Sequence, residues 1–146
     1  MARAWHHLPL SAIAVLWNLL LVGHYLGHTF SVDVFIRNFT ENEAAFYGQM
    51  PQWQAILWAI AVWSGLLAAI LLADRRATGV VFALSFVSWA MTAAAWHWLR
   101  APSVGEVFGQ TGLTLVLVAC GAAFFYAIYA RWMHTRWRYR RGQYLD

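Results

Sequence analysis

The sequence contains no lysine, one cysteine and three prolines, and only 11% of it is charged, where soluble globular proteins carry roughly 25%. Each shortage excludes something. A lone Cys120 rules out a disulfide framework, a thiolate metal site and dithiol redox chemistry. With 62% of its residues apolar and so little charge, the chain cannot present a surface that water solvates, so its natural solvent is lipid. Residues 4–32, 44–73, 77–99 and 107–130 hold no Asp, Glu, Lys or Arg. Proton-coupled carriers need an intramembrane carboxylate, and a four-helix exporter built on a buried Glu is therefore disfavoured. No His-Glu zinc motif, Asp pair or Ser with a credible base is present, so no enzyme is expected.

What remains is long and apolar. About 20 apolar residues span a bilayer, and each of the four uncharged stretches is long enough. Trimmed to their apolar cores they predict an all-α, four-helix transmembrane bundle with spans near 8–28, 53–73, 79–99 and 111–131. Gly23-His24-Tyr25-Leu26-Gly27 is a poor signal-peptidase site, so the first span is expected to be retained. Residues 1–131 read as one transmembrane domain and 132–146 as a basic aromatic tail.

Arginine sets the orientation. With both ends in the cytoplasm, eight arginines (Arg3, Arg75, Arg76, Arg131, Arg136, Arg138, Arg140 and Arg141) lie inside, and only Arg37 and Arg100 lie outside. The short turn after Asp74 makes the second and third spans antiparallel neighbours. In the longest loop, Thr40-Glu41-Asn42-Glu43 has the form of a capping box and predicts an amphipathic helix near 41–48. Phe39, Ala45, Phe46 and Tyr47 are then able to lie against the membrane, and Pro51 suits the first turn of the second span.

Small residues mark the packing faces: Ala61, Gly65 and Ala69 in the second span, and Ala119, Ala123 and Ala127 in the fourth. Ser85, Ser88 and Thr92 share a face of the third span, and Asn18 is placed near mid-bilayer. Trp17, Trp63 and Trp89 stand at a similar depth, and Trp58 too sits deeper than a headgroup belt. Together these residues are candidates for a buried polar network or a contact with a flat apolar ligand. His24 and His28 lie one turn apart, with His97 at a like depth, a set that could hold a transition metal or haem. In the tail, Arg131, Arg136, Arg138, Arg140 and Arg141 alternate with aromatics and are expected to contact anionic lipid rather than nucleic acid.

Trp17-Asn18, Phe39-Thr40, Phe46-Tyr47-Gly48, Pro51-x-Trp53 and Trp58-Ala59-Ile60-Ala61-Val62-Trp63 together resemble a group of small bacterial four-helix inner-membrane proteins that carry the label "sugar transporter". The likeness covers mainly residues 10–65. It implies a four-helix fold in a bacterial inner membrane and, by its label, a carrier for a small neutral solute. In that group an acidic residue commonly precedes the tyrosine equivalent to Tyr25, where this chain has His24. The residues themselves favour a small accessory or assembly component, as a homo-oligomer or in a larger membrane complex. They name no cofactor.

Overall fold

The computed structural model describes residues 6–74 and 78–142, together with their side chains other than those of Phe35 and residues 137–142. Arg3, Arg75 and Arg76, three of the expected cytoplasmic arginines, lie outside the described residues. So do the side chains of Arg138, Arg140 and Arg141.

Six helices follow in order: α1 His7–Thr29, α2 Asp33–Ile36, α3 Glu41–Gly48, α4 Gln52–Ala73, α5 Gly79–Trp98 and α6 Val104–Gly142. Among the described residues there is no strand. Four segments, His7–Thr29, Gln52–Ala73, Gly79–Trp98 and Val104–Arg136, are long and apolar enough to cross a membrane. The chain is thus of the multi-pass membrane type. Hydrocarbon cannot satisfy a backbone N–H or C=O, so continuous helices are the form such segments must take.

Local chemistry sets the helix ends. At the end of α1, Val32 N–H donates to Gly27 C=O at 2.9 Å and Ser31 N–H to His28 C=O at 3.3 Å. Ser31 takes φ 50°, so this is a Schellman closure with serine in the place glycine usually holds. The predicted capping box is present: Thr40 N–H donates to Glu43 Oε2 at 2.7 Å, and Glu43 N–H to Thr40 Oγ1 at 3.3 Å. It starts α3 at Glu41, as the sequence predicts.

The fourth long helix departs from its expected bounds, 111–131. Ser103 and Glu106 form a second capping box, with Ser103 N–H donating to the Glu106 carboxylate at 2.7 Å. That box starts α6 at Val104, and Gly109 (φ 63°, ψ −158°) bends it one turn on. At the other end α6 runs unbroken through the expected boundary at residue 131 as far as Gly142.

Helix α4 packs against α1 and α5, and α5 packs against α6. The seam between α1 and α6 is closed by side chains: Tyr126 donates to Leu10 C=O at 3.3 Å, and His6 Nδ1 meets the Tyr129 hydroxyl at 3.0 Å. Near the tail end of the bundle, His7 Nε2 donates to Leu72 C=O at 3.1 Å, joining α1 to α4.

At the centre the small residues act as the sequence suggests. Ala61, Gly65 and Ala69 are buried, as are Ala119 and Ala123. Asn18 Oδ1 and Ser85 Oγ occupy the space that a side chain at position 65 would fill. Ser85 donates across the interface to Ala61 C=O at 2.7 Å, a bond of the kind worth about 0.6 kcal/mol on average in membranes.

Gly65→Ala should therefore destabilise the bundle by about 1–3 kcal/mol through overpacking. Gly121→Ala should not, because no atom lies within 4 Å of a Cβ built there. Thermal unfolding of the two variants in the same detergent distinguishes them, and equal melting temperatures would show that the helices do not depend on this approach.

Candidate functional site

Two places in the molecule gather the residues singled out by the sequence. The first lies inside the bundle. Trp17, Asn18, Ser85 and Trp89 do converge, with Tyr126, but on a void of only about 10 Å³. That is roughly the space of one water molecule. The polar groups there are committed to helix carbonyls: Asn18 Nδ2 donates to Ala14 C=O at 2.8 Å, and Ser85 to Ala61 C=O. Thr92 donates to Ser88 C=O at 2.8 Å, and both residues are buried away from this void. Trp63 does not join the group. It points away from the core with 47% of its surface exposed.

The second place is the bundle end that carries α2 and α3. The sequence puts His24 and His28 on one face of α1, and there the Nε2 atoms stand 3.1 Å apart. One ring must donate and the other accept. His28 is locked in place by the loop: Tyr47 stacks on it at 4.0 Å and 16°, Phe39 at 5.0 Å and 15°. Beneath Tyr47 lies Trp58 at 5.7 Å, which meets Trp96 of α5 edge-on at 5.3 Å. Parallel and edge-on ring pairs at these separations each add about 0.5–1.5 kcal/mol beyond area burial.

Helix α3 is therefore a lid over the bundle, and the expectation that Phe39, Phe46 and Tyr47 lie against the membrane is corrected; of that set Ala45 is exposed. Phe46 is 2% exposed and packs on Trp96 and Phe108, with the Arg100 guanidinium 4.0 Å over its ring. The amphipathic face expected of this helix is not seen: Phe46 is its one buried residue, and it turns into the bundle mouth among aromatic partners.

The third histidine is elsewhere. His97 is exposed, and its ring contact is its neighbour Trp98 at 5.3 Å. Among the described residues no group of three His, Cys, Asp or Glu side chains is placed to hold a metal ion. The expected three-histidine set is thus a pair. Nor can that pair supply both axial ligands of one haem, since axial ligands approach the iron from opposite faces and these two nitrogens nearly touch.

Beside the pair, between α1, the loop and α4, is a groove of about 350 Å³ walled by Tyr25, His28, Phe39, Tyr47, Met50 and Trp58. Small-ligand sites begin at roughly this size. Four buried polar atoms at this end of the chain lack a hydrogen bond: His28 Nδ1, Gln54 Oε1, Trp96 Nε1 and Arg100 Nη1. Gln54 is 1% exposed. Tyr25, Phe39, Tyr47, Met50, Gln54, Trp96 and Arg100 are among the contributors the sequence does not single out as site residues. Only the loop's capping box hinted that this segment was ordered.

Burial also sets the ionisation of the lid. It pushes the Tyr47 phenol well above the ordinary tyrosine value; Glu43 adds to the shift and Arg100 opposes it. Burial lowers the Arg100 pKa, and Tyr47 partly counters that. At the tail end, Arg131 and Arg136 are exposed, and Arg136 lies 4.2 Å over the Trp132 ring.

Comparison of the chain with protein-family models, with characterised proteins and with solved structures finds no match.

The folded pKa of Tyr47 lies above the unfolded one of about 10, so the lid's stabilisation is complete below that pH and fades as the pH rises through the folded value. Stability measured against pH should decline above about 10 more steeply in the wild type than in Tyr47→Phe. The phenolate absorbance difference between the two should show no step in the ordinary tyrosine range. A step at about 10 would mean that the ring is not enclosed.

Proposed function

We propose that this chain is an accessory or assembly component of a membrane complex, seated in a bacterial inner membrane with both ends in the cytoplasm. The observation that carries the reading is one face of α4. Ile56, Ile60, Trp63, Leu67 and Ile70 are all exposed at helical spacing, with 47% of Trp63 uncovered at the middle of the span. An indole favours the interface, where its N–H finds an acceptor. At mid-span, lipid offers none, whereas a neighbouring helix does through a hydroxyl, an amide or a freed carbonyl. The partner implied is a transmembrane helix, from a second copy of this chain or from a larger complex.

Two further features support the reading. The void on which Asn18 and Ser85 converge is about 10 Å³, too small for a solute. A carrier of small neutral solutes, the reading that the family resemblance suggests, would need its path between protomers. The second feature is sidedness. The α3 end holds Asp33, Glu41, Glu43 and Glu106 against Arg37 and Arg100, while the tail end holds Asp74 against Arg131 and Arg136, followed in sequence by Arg138, Arg140 and Arg141. Arginine on the cytoplasmic side is the usual arrangement, and it places α3 on the outer face. The tail would then lie among anionic headgroups, each basic residue near the surface contributing about 1 kcal/mol.

A photo-crosslinking residue in place of Trp63 should give discrete protein adducts in native membranes, and the same residue in place of Leu20, on the exposed side of α1, should give mainly lipid adducts. A monomer that crosslinks only to lipid, yet moves neutral solutes into liposomes, would overturn the assembly reading in favour of the carrier. Replacing the five tail arginines by glutamine should reduce the anionic lipid that co-purifies with the protein, measured by native mass spectrometry. Unchanged lipid content would detach the tail from the membrane surface.

A further inference from the structure

We propose that His24 and His28 form an open, two-point site for a divalent transition-metal ion that favours imidazole, such as Zn²⁺ or Cu²⁺. The inference stands apart from the assembly reading and needs no partner protein.

The geometry is that of a chelate. Metal–imidazole bonds are about 2.0–2.1 Å long. Two nitrogens 3.1 Å apart therefore subtend about 100° at a shared ion, between the angles of square and tetrahedral coordination. Residues at i and i+4 on α1 hold this spacing through the helix backbone. His28 is fixed further, because Tyr47 stacks on its ring at 4.0 Å and Phe39 at 5.0 Å. Little side-chain freedom remains to be lost when an ion binds.

The protons balance without any leaving the protein. In the observed pair one Nε2 bears a hydrogen and the other accepts it. The ion takes a lone pair from each Nε2, so the donor ring shifts its hydrogen to Nδ1 and both rings stay neutral. No third His, Cys, Asp or Glu is placed to complete the shell among the described residues, and His24 is exposed. The remaining positions would belong to water or to an incoming ligand. That is the character of an exchange or catalytic site rather than of a closed structural one. The groove of about 350 Å³ shares His28 as part of its wall, so a ligand lodged there lies next to the pair.

The test uses the full chain in detergent, purified without a polyhistidine tag. Titration with Zn²⁺ should show one site, and Co²⁺ should give the visible bands of an ion bound to nitrogen. His24→Gln and His28→Gln should each weaken binding at least tenfold, while His97→Gln and excess Mg²⁺ should change nothing. His24 is exposed, so its variant keeps the fold even if the His28 variant does not. Wild-type affinity in the double variant, or no binding of Zn²⁺, Cu²⁺ or Ni²⁺ by the wild type, would overturn the proposal.

Discussion

The molecule depends on a missing side chain. At Gly65 the backbone of α4 comes close enough to α1 and α5 for Asn18 Oδ1 and Ser85 Oγ to fill the place of a Cβ. In hydrocarbon, burial supplies no preference for helix against helix over helix against lipid; contact area and hydrogen bonds must decide. The bond from Ser85 to Ala61 C=O supplies one of those bonds, and the alanines flanking Gly65 supply the area. Once the three helices meet at this depth, the void among Asn18, Ser85, Trp89 and Tyr126 is only about 10 Å³. The larger space described, a groove of about 350 Å³, lies at the α3 end instead.

The two ends are built differently. The tail end is closed by local polar joins, with His7 on the Leu72 carbonyl and His6 on Tyr129. The α3 end is closed by rings, which offer few hydrogen-bond partners to the polar groups among them. His28 Nδ1, Trp96 Nε1, Arg100 Nη1 and Gln54 Oε1 are all buried without a hydrogen bond. A buried polar atom left unpaired costs about 1–3 kcal/mol. Ser11 Oγ and Thr78 Oγ1 at the tail end are unpaired too, but the α3 end holds the larger share, including a guanidinium and an imidazole. Sites for binding and chemistry are where such costs are commonly tolerated.

Much of the fold was legible because its determinants are local. Charge-free length predicts the spans, and α1, α4 and α5 lie within a residue or so of the predicted bounds. The Thr40–Glu43 box is a four-residue signal, and it predicts α3 correctly. The start of α6 was equally legible in Ser103-Val104-Gly105-Glu106, which has the same pattern, but the apolar core of that span begins later and masks it. The site was less legible, for a geometric reason. Hydropathy gives a residue's depth and says nothing of its direction around the helix axis. His97 matches His24 and His28 in depth yet faces away from them, and Trp63 matches Trp17 and Trp89 yet points outward. His24 and His28 were readable as a pair because they share one helix. Phe39, Phe46 and Tyr47 reach the site through the path of a loop, which no periodicity encodes.

The same distinction explains why the pair and the lid belong to one device. His24 and His28 are brought together by α1 alone and would approach each other even in an isolated helix. Their neighbours are not. Phe39 and Tyr47 come from the loop, Trp58 from α4, and behind them stand Phe46 with Trp96 of α5. A helix that merely had to cross a membrane would gain nothing from a capped lid whose rings stack face to face on a histidine. Ordering that loop costs roughly 1–2 kcal/mol per residue in backbone entropy. The ring contacts offset that cost only where the loop reaches the histidine end of α1, so the loop's conformation and the position of His28 are determined by the same set of contacts.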